Sequence, residues 1–308
     1  MTAAHVGIVG AGQVGMAAAA ALFHGRHVGA ITLVDRDRER AVGEAMDLMH
    51  GQALVGPCTV NGGDFGDLAG TRVVVVTAGV GQARGESRLE LLGRNVGIMS
   101  EIMTELDRVA PEAVILIATN PVDVLTRVCQ DISTRPQTRV IGTGTSLDSA
   151  RLRALLGRHY EVSPQSVHAY VLGEHGDSEF VAWSLASIES EPLVDNDVLG
   201  VSWDQARMEG IEGEVRRAAA DIIARKGHTN WAIGAVINHL VGAIVRAESI
   251  VVPVSVDPGG SYGIVDVCLS LPVRLGRDGV GHVLTPRLTT TELESLLKSA
   301  EALRRAAP

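Results

Sequence analysis

The chain has 308 residues, 46% of them hydrophobic, which is enough to fill one large or two moderate cores and excludes a disordered protein. Lys and Arg number 27 against 36 Asp and Glu, a net charge of -9 without a basic stripe to track a phosphate backbone, so nucleic acid is not an expected partner. Cys58, Cys129 and Cys268 are scattered and odd in number, which supports neither a disulfide framework nor a zinc site, and no metal is expected. No uncharged apolar run approaches the ~20 residues of a membrane span, and the apolar opening lacks a basic leader and cleavage pattern. The expectation is a cytoplasmic protein with no membrane partner.

In chain order the first apolar runs are HVGIV, AITLVD, RVVVVTAG, AVILIATNP and RVIGTG, each short enough for a buried parallel strand. Segments 36–50, 89–109 and 122–132 between them have the length and period of crossover helices, so the sheet is expected to be doubly wound, with ligands beyond the strand C-termini. After Gly144 the rhythm changes. A helix from about Leu147, a strand-like SVHAYVLG and two helical stretches between residues 203 and 248 come first. A β-rich 251–272 and a closing helix near Thr291 follow. The fold class is therefore α/β: a Rossmann-like doubly wound parallel sheet over 1–144, followed by an α+β domain over 145–308, with a cleft between them.

Gly10-Ala-Gly12-Gln-Val-Gly15 follows the first run directly and opens an Ala-rich helix. Gly10 allows the tight turn, Gly12 lets the backbone approach a pyrophosphate, and Gly15 permits close helix packing, while the helix N-terminus favours an anion. Asp35 ends the next run twenty residues after Gly15, where its carboxylate can accept from a ribose diol and repel a 2′-phosphate. The cofactor expected is NAD, with this domain as its binding domain.

Four later segments place polar groups at strand ends: the glycine-rich 79–88, with the makings of a mobile lid; Thr119-Asn120-Pro121; Asp148 to Arg151; and Gly173-Glu-His175-Gly-Asp-Ser. GAGQVG, LVD, GVGQARGESRLELL, TNPVD, GTSLDSAR, GEHGDS and KGHTNWAIG occur in one order from Val6 to the C-terminal helix. In that set and order the chain closely resembles the L-lactate and malate dehydrogenase family. The resemblance implies that His175 accepts the hydroxyl proton during alcohol oxidation and returns it during ketone reduction, with Asp148 holding the ring and favouring its charged form. Thr145 or Ser146 reads as the cap of a helix on which Asp148 and Arg151, three apart, both face the cleft. Arg151 is the natural partner of a substrate carboxylate, and Arg88, delivered by the lid, polarises the reacting oxygen. By the same resemblance Asn120 and Thr229 line the substrate pocket, and Gln13, Val14, Arg40, Gly79, Val80, Thr119, Asn120 and Thr143 join the cofactor-binding set.

Gln82 occupies the lid position where lactate-specific members usually carry Gln and malate-specific members Arg. A second substrate carboxylate entering a drying cavity without an Arg opposite it costs several kcal/mol, so pyruvate and lactate are the expected pair. Malate or another 2-hydroxy acid stays open as the alternative. Arg153, roughly 200° around the helix from Arg151, and His168 match positions that bind fructose 1,6-bisphosphate across a subunit interface in bacterial members. The resemblance thus implies that effector, activation that weakens as pH rises, and a homotetramer.

Overall fold

The computed structural model describes residues 4–81 and 88–307, with the side chains of residues 88 and 89 left aside, so Gln82 and the side chain of Arg88 lie outside the described residues. The predicted rhythm begins with β1 (His5–Val9), α1 (Gln13–Gly25), β2 (Ala30–Val34), α2 (Arg38–His50), a single turn α3 (Gln52–Val55) and β3 (Thr59–Gly63). It continues with β4 (Val73–Val76), α4 (Arg88–Val109), β5 (Val114–Ile117), α5 (Val122–Ile132) and β6 (Val140–Gly142). Strands β1, β4 and β5 are all but continuous Val and Ile with no exposed position, as strands covered on both faces must be. They pair in parallel in the order β3-β2-β1-β4-β5-β6, which reverses direction between β1 and β4. The crevice beyond the strand ends at that reversal is where an open α/β sheet receives ligands.

The second half adds α6 (Ser146–His159), the short strands β7 (Val167–His168), β8 (Val171–Leu172), β9 (Phe180–Val181), β10 (Ser187–Ile188), β11 (Glu191–Pro192), β12 (Asp197–Val198) and β13 (Val201–Ser202), then α7 (Gln205–Lys226) and α8 (Trp231–Arg246). It closes with β14 (Ile250–Val256), β15 (Leu269–Gly276), β16 (Gly279–Val283) and α9 (Thr290–Ala306). The sheet runs on across residue 144: β14 lies antiparallel to β6 through Ser255 and Gly142, and β15 and β16 complete nine strands. Leu22 and Phe23 of α1, Ala41 of α2 and Leu240 and Ile244 of α8 cover one face. Met99, Met103 and Leu106 of α4, Leu125 of α5 and Leu296 of α9 cover the other. Burying each large apolar side chain contributes about 1.5–3 kcal/mol, so helices from both halves hold the sheet. A third cluster joins Leu152 and Leu156 of α6 to Ile211 and Val215 of α7.

The helix carrying Asp148 begins where expected, but neither predicted side chain caps it. Thr145 donates its hydroxyl to the Val171 carbonyl and Ser146 donates its own to the Pro253 carbonyl, so both lash the helix start to the C-terminal half. No helix among the described residues is long and apolar enough to cross a membrane.

Candidate active site

Each glycine of the first turn has a different physical reason. Gly10 has φ +107, a region L side chains rarely adopt, and a Cβ on Gly15 would lie 1.8 Å from the Gly10 carbonyl oxygen. A Cβ on Gly12 would meet no atom of the chain within 4 Å, so nothing in the protein itself requires a glycine here. Gly12 caps α1 without a side chain, and the first turn carries no acidic residue. Its unsatisfied amides and positive dipole end are left for an anion.

The turn opens onto a cavity of about 1040 Å³ lined by Gly10, Gly12, Asp35, Arg40, Gly79 and Val80 of the expected cofactor set. Asp35 does structural work as well: one carboxylate oxygen accepts from Ala11 N–H at 2.7 Å and the other from Asp37 N–H at 2.9 Å, fixing the turn against the end of β2. Gln13 is exposed and Val14 half-buried in the first turn of α1. Thr119 and Thr143 are buried, and Thr119 donates to the Ala78 carbonyl at 2.7 Å, so it braces the strand ends. A Cβ on Gly79 would sit 2.4 Å from the Thr119 methyl, which explains the glycine. Asn95 of α4, a residue the sequence did not single out, clasps Val80 by accepting its N–H at 2.9 Å and donating to its carbonyl at 3.3 Å.

His175 and Arg151 meet on one carboxylate. Asp148 sits in the first turn of α6 with only 3% of its side chain exposed; one oxygen is 2.7 Å from His175 Nδ1 and the other accepts from Arg151 Nη1 at 2.6 Å. Burial works against a charged imidazole, but the hydrogen bond and charge of Asp148 overcome it and push the His175 pKa up to about 9. Burial likewise opposes the Asp148 carboxylate, and His175 and Arg151 together hold its pKa below the ordinary value. The pair therefore stores its proton on the ring through neutral pH.

The loop bearing His175 is pinned from three sides. Gly173, at φ +90, exchanges backbone hydrogen bonds with Ser270 of β15, and Ser299 of α9 donates to the Ser178 carbonyl at 2.6 Å. From α5, Asp123 accepts the His175 backbone N–H at 2.7 Å. Burial pushes the Asp123 carboxyl up to about 6. The sequence quoted Asp123 only within TNPVD and did not foresee this contact. Glu179, also not anticipated, is buried so that its carboxyl, the Asp148 carboxylate and the His175 ring offer atoms within 4.8 Å of one another. Three such groups are able to hold a metal ion, but the Asp148 oxygens are already engaged by a guanidinium and an imidazole, which suits proton handling better.

Asn120 is exposed at the end of β5, with its amide oxygen accepting from Val122 N–H at 3.2 Å and so serving the start of α5. Thr229 is half-buried between α7 and α8. Arg153 points its guanidinium at the Pro164 carbonyl, 3.2 Å from Nε, and His168 is exposed on β7 just beyond the same turn. The lid residue Gln82 and the Arg88 side chain lie outside the described residues.

Comparisons with known proteins agree with this geometry. Residues 4–142 match the lactate/malate dehydrogenase NAD binding domain and residues 145–307 the α/β C-terminal domain of the same family. The L-lactate dehydrogenase of Salinibacter ruber is 51% identical over 300 residues, covering 97% of this chain and 95% of the relative. That of Thermus aquaticus is 46% identical over 307 residues, covering 98% of each. Among solved structures, a lactate dehydrogenase from a Medee basin deep-sea metagenome library superimposes with a TM-score of 0.95 at 40% identity, covering 99% of this chain and 98% of the other. The minor L-lactate dehydrogenase of Enterococcus mundtii does so with a TM-score of 0.95 at 33% identity and the same coverage.

Proposed function

We propose that this chain, which belongs to the lactate/malate dehydrogenase family, is an L-lactate dehydrogenase that moves hydride reversibly between NADH and pyruvate to give (S)-lactate. Its main support is the Asp148 carboxylate that joins an imidazole at 2.7 Å to a guanidinium at 2.6 Å beside the NAD-binding half. The cofactor fits the chain: Gly12 leaves open space at the amide-rich start of α1, and Gly10, Gly12, Asp35, Arg40, Gly79 and Val80 line the cavity above it. The nicotinamide, when bound, would donate hydride in its reduced form and accept it in its oxidised form, and binding, orientation and proton transfer fall to the side chains.

Arg151 holds the substrate carboxylate through paired hydrogen bonds, which presents one face of the keto group. The His175 imidazolium gives its proton to the carbonyl oxygen as that oxygen gains charge, and the neutral ring takes the proton back in lactate oxidation. By the family resemblance Arg88 has the role of stabilising the same oxygen, Asn120 and Thr229 of lining the pocket, and Gln82 of selecting a substrate without a second carboxylate. Rates of NADH oxidation with pyruvate, oxaloacetate and 2-ketoisocaproate, in the native protein and in Gln82→Arg, test this reading. Pyruvate should lead in the native protein. The substitution should move the ratio of kcat/KM on the order of a hundredfold toward oxaloacetate, from the several kcal/mol an unpaired buried carboxylate costs. An unchanged ratio would discard the role of Gln82, and oxaloacetate leading in the native protein would discard the lactate assignment.

In the same reading the protein is a cytoplasmic homotetramer activated by fructose 1,6-bisphosphate, with Arg153 and His168 as phosphate ligands at a subunit interface. Both residues flank the turn at Pro164–Ser166. Pyruvate saturation in the same assay, with and without the bisphosphate, decides it: an unaffected curve from mildly acidic to neutral pH removes the effector.

A further inference from the structure

We propose that Glu179 is a second proton-holding carboxyl of the site, kept as the neutral acid beside Asp148 and His175 so that the pocket admits an anionic substrate. The proposal deepens the function given above and rests on it for the identity of the anion. Its basis is placement: Glu179 is 6% exposed and offers a carboxylate oxygen within 4.8 Å of both an Asp148 oxygen and a His175 ring nitrogen.

The charged groups acting on it come from every side of the cluster. Asp148 and Arg151 act from α6, His175 from its own loop and Arg216 from α7. Arg216 Nη2 is taken up by the Glu212 carboxylate at 2.9 Å and by the backbone carbonyl of Glu179 itself at 3.0 Å. Asp148, the nearest full charge of the same sign, is fixed in its ionised form by two cations. Burial first, and then Asp148, push the Glu179 carboxyl up to about 8, against the opposing pull of His175, Arg216 and Arg151.

Two consequences follow for the reaction. Below about pH 8 the buried anions around the ring are Asp148 and, above its own pKa of about 6, Asp123 of α5, set against the cations Arg151 and His175. Ionising Glu179 adds a further negative charge within 4.8 Å of the His175 ring that meets the substrate, which should weaken anion binding on the order of tenfold in a partly dry site. The same charge holds the imidazole proton more tightly. Glu179 thus sets the upper pH limit of substrate affinity while extending the range over which the ring stays charged, and it does so without touching the reacting atoms.

Two readouts on the intact protein test this. In infrared difference titration between pH 6 and 9.5, the native protein should show a protonated-carboxyl band that disappears with a midpoint near 8, absent from Glu179→Gln. In pyruvate reduction, KM should rise on the order of tenfold through that midpoint in the native protein. In Glu179→Gln it should stay flat until the imidazole deprotonates, with the alkaline limb of kcat at lower pH. Glu179→Asp keeps an acid but retracts it, and should move the midpoint of the band. A band with a midpoint near 8, apart from the one Asp123 contributes near 6, that persists in Glu179→Gln, an unmoved midpoint in Glu179→Asp, or superimposable KM profiles would overturn the proposal. If the native protein does not reduce pyruvate, the functional reading fails while the infrared titration still decides the state of Glu179.

Discussion

Asp148 is one carboxylate serving two cations, and removing its charge should separate their effects. With the ring pKa near 9, kcat for pyruvate reduction, which needs imidazolium, should hold from neutral pH up to about 9 and fall above it, while lactate oxidation gains as the ring deprotonates. The stability linked to His175 has the same sign: a folded pKa raised above the ordinary 6.5 contributes fully below that value and is lost as pH rises through about 9. In Asp148→Asn burial acts on the ring unopposed by its main partner, so the alkaline limb of kcat for pyruvate reduction should drop by two or more pH units. Activity at pH 7.5 should fall on the order of a hundredfold. A pH profile whose limb stays near 9 would show that another group holds the ring. That His175, Asp148 and Arg151 meet was legible because GEHGDS and GTSLDSAR resemble, in order, motifs of a known family. Asp123 and Asn95 were not, since one serves a backbone N–H 52 positions away and the other clasps a loop 15 positions behind it, contacts only the folded chain creates. Asn120 shows the converse: its motif was plain, but its amide oxygen caps α5 in a way spacing does not reveal.

At the scale of elements, the strand-turn-helix from β1 to α1 separates what the fold needs from what a ligand needs. Gly15→Ala would drive a Cβ to 1.8 Å from a backbone oxygen, so the turn or the helix must shift. The expected loss is about 1–3 kcal/mol or more of stability, read as a lower denaturation midpoint. Gly12→Ala meets nothing in the chain, so it should melt with the native protein while NADH affinity, followed by nucleotide fluorescence, drops tenfold or more. Equal affinity in Gly12→Ala and native protein would mean that the pyrophosphate lies elsewhere. The long elements were legible from period and length, α5 to the residue at 122–132. Of the parallel strands the one missed is β3, TVNGG, whose Asn and glycines interrupt any apolar run; it pairs only along the sheet edge with β2. The two-residue strands β9 to β13 and the edge strand β16, beyond the expected 251–272, were missed as well. The cap expected from Thr145 or Ser146 failed for a related reason, because both hydroxyls found carbonyls brought up by the C-terminal half.

In the whole molecule, the sequence's change of rhythm at 144 is not a break in architecture. We assign cofactor binding to 1–144 and substrate chemistry to 145–308, although one nine-stranded sheet crosses that point and α1 packs against α8. The rationale for sharing the sheet is positional: His175 is tied backward to α5 through Asp123 and forward to β15 through Gly173, so its ring keeps a fixed place relative to the strand ends that face the cofactor. The most direct measurement is therefore pyruvate saturation of NADH oxidation in Arg151→Lys beside the native protein, with NADH affinity determined in parallel. Losing the planar fork should raise KM for pyruvate on the order of a hundredfold or more while NADH binds as before. An unchanged KM for pyruvate would mean that the guanidinium at 151 does not hold the substrate and that the site described here is not the one that turns over.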